Sequence, residues 1–74
     1  MQINGRIEGS IAILDDRVLY RVRGDAEQYR VCSTNRQAVK DALFLREGQH
    51  IRIRGEPDGE TIRVEEAKID ITRI

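Results

Sequence analysis

The sequence predicts an all-β fold, a small barrel of five strands carrying one short helix in the order β-β-β-α-β-β. Three observations point there. Three segments of alternating apolar and polar residues come first, then one stretch at helical spacing, then two more alternating segments. The densest signal is Leu45-Arg46-Glu47-Gly48-Gln49-His50-Ile51-Arg52-Ile53-Arg54-Gly55, which reads as a helix end, a glycine stop and a strand. Asp58-Gly59 and Ile62-Arg63-Val64 then add a tight turn and a last strand. Seventy-four residues make one domain spanning 1–74.

In the first segment the isoleucines fall on odd positions (Ile3, Ile7, Ile11, Ile13), while Gln2, Asn4, Arg6, Glu8 and Ser10 take even ones. That is one long strand with period 2, bent at Gly5 and Gly9 on its inward series. Two shorter strands broken at Gly9-Ser10 are the alternative. Asp15-Asp16 joins it as a tight turn to Arg17–Arg23, where Val18, Tyr20 and Val22 point inward and Arg17, Leu19, Arg21 and Arg23 outward. Gly24-Asp25 turns the chain into Gln28–Cys32, with Tyr29 and Val31 inward and Gln28, Arg30 and Cys32 outward.

The period then becomes 3.6. Thr34-Asn35-Arg36-Gln37 has the form of a capping box. Ala38, Val39, Ala42 and Leu43 form an apolar stripe with Gln37, Lys40 and Asp41 off it, and Gly48 is the expected left-handed stop. This helix, near 35–46, is expected to plug one end of the barrel, with Phe44 in the core. In the fourth strand Ile51 and Ile53 point inward and His50, Arg52 and Arg54 outward, before a Glu56-Pro57-Asp58-Gly59 turn. In the fifth, the apolar residues are even (Ile62, Val64) and become odd after Glu65-Glu66 (Ala67, Ile69, Ile71). A one-residue slip of that kind predicts a bulge, letting the last strand curl to meet the first. The expected core is Ile7, Val18, Val22, Val31, Leu43, Ile51, Ile53, Ile62 and Ile69.

Thirteen cations balance thirteen acids, which argues against a strong non-specific polyanion binder. Their distribution is uneven. Residues 17–54 hold nine cations against four acids, and arginine outnumbers lysine eleven to two. Arginine's planar fork suits phosphates and base faces. The single cysteine, Cys32, excludes an internal disulfide, and no basic leader or apolar span of about 18 residues is expected; a cytoplasmic chain with no membrane association is the reading.

The element order, together with Leu45-x-Glu47-Gly48-x-x-Ile51-x-Ile53-x-Gly55 and Asp58-Gly59, resembles the OB-fold (oligonucleotide/oligosaccharide-binding) family. It is most similar to the anticodon-binding and small single-strand-binding members. The resemblance implies a ligand face across strands two and three, here Arg17, Leu19, Arg21 and Arg23 with Gln28 and Arg30, flanked by Asp15-Asp16 and Glu56–Glu60. Arg52 and Arg54, outward on strand four, join the candidate set. It further implies single-stranded DNA or RNA as partner. The chain departs from the family in placing Tyr20 and Tyr29 on the inward series, and in having short, acidic flanking loops.

On the expected face Arg17, Arg21, Arg23 and Arg30 have no interleaved acids, so phosphate contact and guanidinium stacking are available to them. His50 and Cys32 are the sole nucleophile candidates and lack a recognised spacing, so no enzyme activity, catalytic residue, cofactor or metal site is expected. The alternative function is a protein-interaction module. The run Lys68-Ile69-Asp70-Ile71-Thr72-Arg73-Ile74 offers an alternating edge, residues 67–74, for a homodimer or another protein.

Overall fold

The structure is a computed structural model describing residues 1–70. Five strands, β1 (Gln2–Ile13), β2 (Arg17–Arg23), β3 (Gln28–Thr34), β4 (His50–Asp58) and β5 (Thr61–Ile69), close a barrel in the order β1-β2-β3-β5-β4. One helix, α1 (Asn35–Phe44), joins β3 to β4. All pairings are antiparallel except β3–β5, which is parallel. This is the OB fold, with the element order expected.

Long β1 serves two neighbours. Its first half pairs with β4, from Gln2 opposite Arg54 to Arg6 opposite His50. Its remainder pairs with β2, from Arg6 opposite Arg23 to Ile13 opposite Val18. The hand-over needs glycine: a Cβ on Gly5 would sit 2.2 Å from the Arg23 carbonyl oxygen. At Gly9 φ is +74°, and the β1–β2 register shifts between Glu8 and Ala12. The inward odd series therefore lapses past Gly9. Ile3 and Ile7 are buried, Ile11 is half-buried and Ile13 is exposed.

The bulge falls where the phase slip predicts it. Arg54 opposes Glu66 and Gly55 opposes Val64, leaving Glu65 without an opposite residue. Ile62 and Val64 thus face the core on one phase, and Ala67 and Ile69 pack against it on the other. The last strand does not meet the first, however. β5 lies between β4 and β3, and β1 closes on β4, because the parallel pairs Val31–Ile62 and Cys32–Arg63 hold β5 beside β3. The edge proposed at 67–74 is therefore lined by β4 through Ile69, while Ile71 to Ile74 lie outside the described residues. β4 also runs through Pro57, opposite Ile62, so the turn is shorter than expected and starts at Gly59.

Ile3, Ile7, Val18, Tyr20, Val22, Val31, Ile51, Ile53, Ile62 and Val64 fill the barrel, with Ala38 and Leu45 closing it at the helix. Tyr29 packs half-buried against them on the inward phase. Two core expectations fail: Leu43 and Phe44 are each 62% exposed. α1 is rotated so that Ala38 and Asp41 face inward. The Ser33 hydroxyl, buried on β3, donates to Asp41 Oδ2, and the Gln37 amide donates to Asp41 Oδ1 at 2.8 Å. Engaged there, Gln37 forms no capping box; Thr34 stays extended with no side-chain cap. Nor does Gly48 end the helix. The Leu45 amide bonds the Asp41 carbonyl, while Gly48 (φ +90°) lies in the following loop and donates to the Ile7 carbonyl.

Asp41 thus anchors the plug. Asp41→Ala leaves the buried Ser33 hydroxyl without its acceptor, and chemical denaturation should register a loss of about 1–3 kcal/mol. Removing both partners together, as Ser33→Ala with Asp41→Leu, should recover part of it. Additive losses would show that the pair is not coupled.

Candidate nucleic-acid interface

Pleating of β2 and β3 sets the face. Their outward residues oppose one another in rows: Arg17 with Thr34, Leu19 with Cys32, Arg21 with Arg30, and Arg23 with Gln28. β1 continues the rows, with Glu8 beside Arg21 and Arg6 beside Arg23, and β4 adds His50 beside Arg6. Six of the eight candidates (Arg17, Leu19, Arg21, Arg23, Gln28 and Arg30) therefore share one face. Arg52 and Arg54 stand across β1 from it, opposite Asn4 and Gln2.

β2 and β3 themselves place no acid between Arg17, Arg21, Arg23 and Arg30, as expected, but acids from neighbouring elements pair with three of the four. Arg23 Nε donates to Glu8 Oε1 at 2.7 Å, and Gln28 Nε2 reaches the same oxygen at 3.5 Å. Arg30 lies 3.6 Å from Glu60, Arg17 3.1 Å from Asp16, and Arg54 3.9 Å from Glu66. These acids come from β1, from hairpin tips and from β5, so alternation within β2 and β3 does not reveal them. The hydrogen bond from Arg23 holds the Glu8 carboxyl below its ordinary value, and that from Arg17 does the same to Asp16. All of these pairs are solvent-facing and exchange readily with competing anions.

Arg21 and Arg52 make no ion pair among the described residues. The Arg21 guanidinium lies over Gly9, 2.6 Å from where a Cβ would stand, so the missing side chain at Gly9 leaves it room. Between β1, β4 and the β2–β3 turn opens a cleft of about 510 Å³, lined by Asn4, Arg6, Arg23, His50 and Arg52 together with Asp25 and Asp70. Arg6 and His50 join the site through the fold alone. Each is outward in its own strand, but their adjacency arises only from the β1–β4 pairing.

No tyrosine presents a ring from this face. Tyr20 is buried; burial, with the nearby Asp41 carboxylate, pushes its phenol well above its ordinary range. Cys32 sits beside Leu19 and Arg63, whereas His50 sits beside Arg6, on strands that are not neighbours. Among the described residues no three His, Cys, Asp or Glu side chains group as metal ligands, and no helix is long and apolar enough to cross a membrane.

No family model and no curated protein matches the sequence. By structure, the chain is similar to the mitochondrial single-stranded DNA-binding protein Rim1 of S. cerevisiae. The TM-score is 0.80 over 93% of this chain and 90% of that one, at 13% identity.

Proposed function

We propose that this protein binds single-stranded nucleic acid, DNA or RNA, across the outward face of β2 and β3, as a small non-enzymatic accessory protein of the cytoplasm. The observation that carries the reading is the Arg21–Arg30 pair, two outward arginines at directly opposite positions on adjacent strands. Like charges so placed are unfavourable on their own, and a phosphate between them reverses the sign. Arg6 opposite Arg23 repeats the arrangement one row along, which gives the backbone of a strand successive anchoring points. The similarity to a single-stranded DNA-binding protein supports the same ligand class.

With no tyrosine ring on the face, bases have mainly guanidinium planes and Leu19 to lie on, so affinity should rest on phosphate contacts and be modest. The acidic tips Asp15-Asp16 and Glu60 limit the path to the strand surfaces. Arg52 extends it across β1, whereas Arg54, beside Glu66, contributes less.

Titration with oligo-dT and oligo-rU at low salt should first shift the amides of Arg21, Arg23 and Arg30, then those of Arg6 and Arg52. The logarithm of affinity should fall linearly with log salt, by about 0.7 per phosphate engaged. Unmoved resonances on β2 and β3 with both oligomers would end this reading.

A further inference from the structure

A different surface carries the second inference. α1 is inside out for a helix that only plugs a barrel: its buried side carries Asp41, and its exposed side carries apolar residues. Val39 and Leu43, one turn apart and each 62% exposed, stand beside the β1–β2 hairpin residues Ile13 (60%) and Leu14 (51%). Between hairpin and helix runs a groove of about 420 Å³ lined by these four side chains. Four large apolar side chains clustered on the surface mark an interface.

We propose that a second copy of this chain covers it, two such faces meeting about a two-fold axis. The argument is charge. The hairpin end of the patch is acidic, Asp15 and Asp16, and the helix bordering Val39 and Leu43 is basic, Arg36 and Lys40. Asp15, Arg36 and Lys40 have no ion pair among the described residues, and Asp16 leans on its own Arg17. A face bearing an apolar centre, an acidic end and a basic end is self-complementary, as a closed two-fold interface requires. When turned about the axis, each hairpin meets the other helix. A partner recognised by charge of one sign would leave half of this border unanswered. The groove meets the β2–β3 face only at Arg17, which lines its hairpin end, and the dimer does not depend on what Arg21, Arg23 and Arg30 bind.

Sedimentation of the full chain without nucleic acid, from micromolar to millimolar concentration, should show a species of twice the 8.5 kDa chain mass. Leu43→Glu should weaken association at least about tenfold with the far-UV spectrum unchanged, since Leu43 is outside the core. The Asp15→Lys/Asp16→Lys variant and the Arg36→Glu/Lys40→Glu variant should each be monomeric alone. Mixed, they should form a heterodimer, because both symmetric contacts again join opposite charges. A wild-type monomer at every concentration overturns the proposal, as does a dimer indifferent to Leu43→Glu, or a mixture that stays monomeric. A monomer that instead binds an added amphipathic helix on this patch also overturns it, in favour of a different protein as occupant.

Discussion

Arg21→Glu combined with Arg30→Glu should abolish oligonucleotide binding while leaving the barrel folded. The two side chains project from opposite positions of β2 and β3, both exposed, so neither replacement disturbs the core. The change goes beyond deleting two attractions. Two groups that attract phosphate become two that repel it, at the centre of the face. Arg30 also gives up its partner Glu60, 3.6 Å away, leaving three acids where the phosphate would pass. Alanine at both positions isolates the simpler effect: the salt slope should fall by about 1.4, since each single-strand phosphate no longer neutralised is worth about 0.7. Fluorescence anisotropy with a labelled oligonucleotide reads both. Binding that survives the double reversal would place the ligand elsewhere, and the cleft around Arg6 and Arg52 would be the next site to alter.

Ile53→Ala should remove a large part of the stability of the protein. Ile53 is fully buried (0% exposed) and pairs with Ile3 on one side and Ala67 on the other, at the seam where β4 closes the barrel on β1. Truncation there opens a cavity against three strands that hydrogen bonds hold in place, which limits collapse around it. The expected cost is about 2–5 kcal/mol, against a total near 4–11 kcal/mol for a chain of this length at ~0.05–0.15 kcal/mol per residue. At about 4–8 °C per kcal/mol, the melting temperature should drop by about 8 °C or more. An unchanged melting curve would contradict the inward placement of Ile53.

Much of this molecule was legible in its residues, for a definite reason. Period 2 and period 3.6 are local properties, so the six elements, the inward phase of Tyr20 and Tyr29 and the bulge at Glu65 all follow from residues close in the chain. The outward direction of Arg21, Arg30 and Arg52 follows in the same way. What lies next to what was settled by the closed barrel. A ten-residue helix with apolar residues on two sides has more than one way to face a barrel, and the buried Ser33 hydroxyl chose the side carrying Asp41 over the side carrying Leu43. The same holds for charge. Alternation places Arg23 and Arg30 outward, but Glu8 and Glu60 reach them through strand pairing and a hairpin tip fifteen and thirty residues distant in the chain. Side-chain direction within an element is set by backbone geometry over a few residues, whereas the neighbours of that side chain depend on barrel closure, which joins segments that carry no local mark of one another.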